Sequence, residues 1–136
     1  MTAPAEMYPL TEAECLDLLK TEVVGRLVFT ENALPAIRPV NFMLAGRDVV
    51  IRTVPEAWTH RVAGAVVAFE VDRIDSAAHT GWSVVLLGTA TALTDAEELR
   101  RVTAVGPRRW DTRHSDHYLR IRPGQFTGRR LSLSSP

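Results

Sequence analysis

Gly81-Trp82-Ser83-Val84-Val85-Leu86-Leu87-Gly88-Thr89-Ala90-Thr91-Ala92-Leu93 is a run without a single charge, rich in valine, leucine and threonine. It reads as one long β-strand. Alternation sends Val84, Leu86, Gly88, Ala90 and Ala92 to one face. Val85, Leu87, Thr89, Thr91 and Leu93 go to the other. Neither face is charged, so both are expected to be covered. One face can fill the inside of a small barrel. In a chain of 136 residues the other is expected to pack against a second copy, because two-fold dimers are the commonest assemblies.

A second segment adds a hairpin. Ala36–Leu44 and Arg47–Thr53 read as strands joined at Gly46, with Pro39 inside the first. Proline has no N–H for a ladder, so Pro39 belongs at an edge or bulge. A broken ladder beside Asn41, Arg38 and Arg52 leaves backbone groups free to meet a ligand. This hairpin is therefore the first candidate for a binding site.

Working outward, Met1–Pro9 is rich in Ala and Pro and reads as a flexible arm, with residues 10–136 as one domain. Thr11-x-x-Glu14 is a capping box that starts a helix running to about Lys20, with Cys15, Leu18 and Leu19 on its apolar side. Val23–Thr30 reads as a strand and Glu31–Pro35 as a turn. A short helix is expected over Pro55–Ala63, a strand over Val66–Asp72 and a polar loop over Arg73–Thr80. Thr94-x-x-Glu97 predicts a second capping box and a helix ending at Gly106-Pro107. Arg108–Asp116 reads as a charged connector. Tyr118–Arg122 and Gln125–Leu133 read as two last strands separated by Pro123-Gly124. Many strands and few short helices predict a mainly β barrel or sandwich.

Composition narrows the function. Lys+Arg 16 balances Asp+Glu 16, and the arginine pairs 100–101, 108–109 and 129–130 are scattered, so nucleic acid is not expected as a partner. No apolar run approaches the ~20 residues of a membrane span, and no signal peptide is apparent. The single cysteine, Cys15, allows no intrachain disulfide and suits a reducing compartment. A cytoplasmic protein is the expectation.

Several words together resemble the pyridoxamine 5′-phosphate oxidase-like split-barrel proteins that bind flavin, in the actinobacterial branch near nitroimidazole reductases. They are Val24-Gly25-Arg26-Leu27, Arg38-Pro39-Val40-Asn41-Phe42, Ile51-Arg52-Thr53, Ala68-Phe69-Glu70-Val71-Asp72, Gly81-Trp82-Ser83-Val84 and Thr127-Gly128-Arg129-Arg130. The resemblance implies a six-stranded antiparallel split β-barrel and a homodimer with FMN in grooves between subunits. It implies an oxidoreductase acting on a small planar substrate at flavin N5. It further implies that the backbone from Pro39 through Val40 and Asn41 to Phe42 lies along the flavin ring, that Arg52 and Thr53 face its phosphate, and that Trp82 and Ser83 come from near the partner's side.

One loop departs from the pattern. Relatives usually follow Arg-Thr with a glycine and a lysine that grip the phosphate; Val54-Pro55-Glu56-Ala57-Trp58-Thr59-His60-Arg61 has neither. Trp58 stands near the lysine's place, leaving the phosphate to Arg52 and Thr53 with either His60 or Arg61. Losing one such cation costs about 1–3 kcal/mol, a tenfold to hundredfold weakening. Hence the alternative: a non-catalytic barrel that carries deazaflavin, haem or another planar ligand, or no cofactor.

Each candidate also has a plainer reading. Arg38 and Arg52 suit phosphate or ordinary surface ion pairs. Asn41 suits a ligand carbonyl or the backbone left open at Pro39. Trp58 and Trp82 suit ring stacking or packing. His114-x-x-His117 reads as a solvated loop rather than a zinc site, and Cys15 as a buried structural thiol.

Overall fold

The long strand is present, one residue earlier than read: β6 spans Thr80–Ala92 and pairs antiparallel with both β5 (Val66–Asp75) and β7 (His117–Ser132). The computed structural model describes residues 6–106 and 117–132. The other elements are β1 (Glu6–Leu10), α1 (Glu12–Leu19), β2 (Val24–Glu31), β3 (Leu34–Ala45), β4 (Asp48–Thr53), α2 (Ala57–Val62) and α3 (Ala96–Val105). The strand order is β1-β7-β4-β3-β2-β5-β6, and the added β6–β7 pairing closes strands β2 to β7 into a ring. Closure removes the sheet edges that would otherwise invite aggregation.

The strand count is seven, not six. The extra strand is β1, in the segment expected as a loose arm. Along one edge β7 pairs with β4 from His117 to Ile121 and with β1 from Gly128 to Ser132. Once β4 has diverged, the open ladder groups of β7 need partners, and Glu6–Leu10 supplies them.

Other departures have local causes. The expected last two strands are one. Leu87 faces Gln125 and Gly88 faces Pro123, so Gly124 is the extra residue of a bulge. The expected loop over Arg73–Thr80 is a tight hairpin end, where the Asp75 carboxylate accepts the N–H groups of Ala77 and Ala78, both at 3.0 Å. The turn after β2 needs only Asn32 and Ala33, both at positive φ (51° and 63°), which leaves Leu34 and Pro35 to β3. The cap of α3 is Asp95 rather than Thr94; its carboxylate accepts from Glu98 N at 2.9 Å. Asp equals Ser as a cap, and its charge also suits a helix start. The Thr11–Glu14 capping box is formed in both directions. The expected connector 108–116 lies outside the described residues, as does His114.

The core is the ring's interior. Leu27, Phe69, Ile51, Leu86, Leu119 and Ile121 are fully buried there, and Phe69 meets Phe42 edge-on at 5.0 Å. Cys15 carries α1 onto β7: a Cβ on Gly128 would lie 2.3 Å from its sulfur. Burial pushes the Cys15 thiol up, as expected for a structural cysteine. A second cluster of Val50, Leu93, Val102 and Tyr118 seats α3 on the outer side of β4 and β7. Among the described residues no helix is long and apolar enough to cross a membrane.

Candidate functional site

Pairing register sorts the candidate residues by face. Asn41 lies across from Arg52, Val24 from Asn41, and Arg52 from Tyr118. Cross-strand partners share a face, so these four form one row on the outside of the ring. The Arg52 guanidinium rests 5.5 Å above the Tyr118 ring. Asn41 is 4% exposed and engaged within the chain.

The next row places Pro39 opposite Arg26, and Arg26 opposite Glu70. Asp72 lies opposite Ser83. Arg26 Nη1 donates to Glu70 Oε1 at 2.9 Å and to Asp72 Oδ2 at 3.1 Å. Val24, Arg26, Pro39 and Asp72 line a groove of about 320 Å³ with Glu22 and Val23. This outer face thus unites Pro39, Arg52 and Ser83, with Asn41 between. Val40 and Phe42 point the other way, into the core, so only their backbone is available to a ligand.

Trp82 also points inward. It is 7% exposed and forms part of a separate cavity of about 400 Å³ with Tyr8, Arg73 and Arg130. Along the row from Arg52 through Asn41, Val24 and Asp72 to Ser83 there are four steps between strands of about 4.8 Å, roughly 20 Å measured along the curved sheet.

The remaining predicted cations have other duties. Arg61 Nη1 donates to Glu31 Oε1 at 2.8 Å, and Arg38 Nη2 lies 3.4 Å from Glu31 Oε2. Arg38 also sits 5.7 Å from the Phe29 ring centre. The structure brings these two arginines together, but on a carboxylate of the chain itself. Trp58 is 6% exposed, stacks on Phe29 at 5.3 Å and donates its indole N–H to Glu56 Oε2 at 2.6 Å. It fills the core beneath α2 and leaves the Arg52 face clear, so it is not placed to stack on a ligand there.

Thr53 leaves the opposite face from Arg52 and pairs with His117. His117 was read only as half of a doubtful metal motif. Its imidazole lies 5.9 Å from that of His60, and its Nε2 is buried without a partner. Burial, then the charge of His60, hold His117 below the usual imidazole range. The β4–β7 register sets His117 beside Thr53 and the packing of α2 brings His60 near, and no local pattern announces either. Among the described residues no three His, Cys, Asp or Glu side chains gather as a metal site.

A closed antiparallel ring, split where β4 leaves β7 and β1 takes over, with its polar groups on the outer face, defines a split-barrel protein. A family profile described as pyridoxamine 5′-phosphate oxidase matches residues 11–130, and the chain belongs to that family. It is 38% identical over 136 residues to the uncharacterized protein Rv0080 of Mycobacterium tuberculosis, covering 96% of this chain and 89% of that one. The solved FAD binding protein of Mycobacterium smegmatis superposes with a TM-score of 0.81 at 33% identity, covering 93% of this chain and 99% of that one. The FAD and heme binding protein of the same organism shares the fold, with a TM-score of 0.68 at 20% identity, covering 96% of this chain and 74% of that one.

Proposed function

We propose that this protein is a cytoplasmic, homodimeric flavoprotein oxidoreductase that acts on a small planar substrate. The observation that carries the reading is the outer face of the ring, where Arg52 shares a cross-strand row with Asn41 and Val24 beside a groove lined by Val24, Arg26 and Pro39. Family membership and a relative known as a FAD binding protein support it. The residues fit such a group. Val24 and Pro39 give the groove apolar walls for a flat ring, and the orphaned Nε2 of His117 beside Thr53 lacks a polar partner.

In this reading Pro39 and the backbone to Phe42 hold the ring, the end of β4 holds its anionic tail through Arg52 on the outer face and Thr53 on the inner one, and Trp82 and Ser83 are contributed by the second copy. When bound, a flavin supplies hydride or electron transfer at N5, and the protein supplies binding, orientation and shielding from water. That division suits a chain with no catalytic dyad in view. FMN is the proposed cofactor, with FAD the competitor that the M. smegmatis relative raises.

A second reading keeps the barrel and drops the chemistry: a binding module for deazaflavin, haem or another planar ligand. It is favoured by Glu31, which already occupies Arg38 and Arg61, the cations nearest the altered loop.

Titration of apo-protein with FMN, FAD, deazaflavin and haem, followed by absorbance and thermal shift, tests both. A ligand that binds only the folded state raises its melting temperature. Expected is a flavin spectrum bleached by dithionite, and a loss of about tenfold to hundredfold in affinity in Arg52→Ala. Protein that takes up no flavin at micromolar concentration, or takes up haem instead, overturns the oxidoreductase reading.

A further inference from the structure

His117 heads β7, and its side chain leaves the same face as Thr53, its partner across the ladder. Its buried Nε2 has no hydrogen-bond partner, which is costly for a polar atom removed from water. His60 on α2 is exposed and tilts its ring 49° to that of His117 at 5.9 Å. Two imidazoles side by side repel once both are protonated. An oxyanion between them reverses the sign of that interaction and gives the buried nitrogen a partner.

The surrounding charges leave this role open. On α2, Arg61 is turned to Glu31, and the Glu56 carboxylate just before the helix accepts from Trp58. On β4 and β7, Arg52 and Arg120 lie on the opposite face, Arg120 with Asp48 and Glu98. No carboxylate is paired with either imidazole among the described residues.

We propose that Thr53, His60 and His117 form an oxyanion subsite for the phosphate tail of the cofactor, in place of the glycine and lysine absent from Val54–Arg61; this rests on the flavin reading above. Thr53 supplies a hydroxyl, and each imidazole supplies an N–H when protonated. Binding therefore tightens as pH falls through the imidazole range. In the free protein burial disfavours the protonated form of His117, and an incoming phosphate raises its proton affinity.

The test compares FMN with riboflavin, which lacks the phosphate, from about pH 5.5 to about pH 8.5, a range that brackets imidazole titration. It uses the whole protein, His60→Gln, His117→Gln and the double variant. The double variant is the baseline, because ionisation of the phosphate itself is common to all. Expected is an FMN preference over riboflavin about tenfold greater in the parent than in the double variant at the acid end, shrinking toward equality at the alkaline end. Riboflavin affinity stays the same throughout. An FMN preference identical in parent and double variant overturns the subsite while leaving the flavin reading standing. If neither flavin binds, the imidazole resonances of the parent are titrated with inorganic phosphate. An upward shift of the His117 midpoint then supports the subsite while the flavin reading falls. An unmoved midpoint, or a response to Zn²⁺ alone, overturns the subsite. Because His60 is exposed, His60→Gln is expected to melt like the parent and keeps the test valid if His117→Gln folds poorly.

Discussion

The two faces of β6 start from the same sequence signal and meet different fates. Toward the ring interior, Val84, Leu86 and Ala90 are completely buried. Outward, Val85 is half-buried, Leu87 is 39% exposed, and Thr89 and Thr91 are exposed. The outer neighbours are apolar too: Leu87 lies opposite Ala68, Ala68 opposite Val28, and Val28 opposite Ile37. Both faces were expected to be covered; in a single chain only the inner one is. Periodicity reports which side chains avoid water, but the body that covers them is a separate question. The inner face is completed by this chain's own strands. The outer face is left open by this chain, and the proposed second copy would complete it.

Leu86→Ala gives the largest expected effect. Removing a fully buried leucine side chain costs about 2–5 kcal/mol, read as a lower urea midpoint. Leu87→Ala, measured at low protein concentration, is expected to stay within about 0.5 kcal/mol of the parent. Equal losses at the two positions would break the comparison, since the outer face would then be packed within one chain.

Gly25→Ala probes the inner face from the opposite direction. A Cβ there would lie 2.2 Å from the tip of the Phe69 ring. The ring is already pinned by Phe42, so the added methyl overpacks the core at a cost of about 1–3 kcal/mol. A neutral outcome in thermal or urea melts would mean that the interior has slack that this packing does not show.

Leu87→Lys acts on the outer face alone. Its effect on monomer stability is expected to be small, but a buried lysine at a dimer centre is not tolerated without a partner. Sedimentation should show the parent as a dimer and the variant as a monomer with unchanged far-UV circular dichroism. Flavin uptake should fall with dimerisation if both copies build the groove. A variant that stays dimeric would move the interface off this face.

The same contrast explains what was legible in the sequence. Several signals confined to neighbouring residues read correctly, although the cap of α3 fell at Asp95 rather than Thr94 and Pro123-Gly124 made a bulge rather than a break. Thr11 and Glu14 form their capping box, Gly46 sits in a turn at φ 65°, and alternation gives the inner face of β6. Features set by distant pairing did not read. Glu6–Leu10 shows no alternation, and its only described partner is the far end of β7. Arg38 and Arg61 carry the chemistry of a phosphate grip, yet the β2–β3 hairpin and α2 deliver both to Glu31. His117 became visible only when the β4–β7 register set it beside Thr53 and packing brought His60 near. Residue type announces what a side chain can bind; tertiary register decides what it meets first.

The smallest predicted effect lies in the Arg26–Glu70–Asp72 cluster on the outer face. Burial, then a hydrogen bond with Asp72 and the charge of Asp72, raise the Glu70 carboxyl to about 7, while Arg26 opposes them. The unfolded group titrates near 4.5, so between about pH 4.5 and about pH 7 the folded chain holds more of this proton than the unfolded one. Stability from Glu70 is therefore greatest at the acid end and is lost as pH rises through about 7. His117 runs the other way: its lowered pKa means the unfolded chain takes up the proton first, so its contribution falls as pH drops below the ordinary imidazole value. Glu70→Gln isolates the first slope. The urea midpoint of the variant minus that of the parent should grow from pH 5 to pH 8, with the variant ahead at pH 8 because glutamine has no charge to desolvate. A second copy over this face would take more water from Glu70, so the difference should steepen with protein concentration in the parent pair and lose that dependence in a Leu87→Lys background. A difference flat in pH would mean that Arg26 compensates the charge fully, and that this face is as well settled in one chain as the interior is.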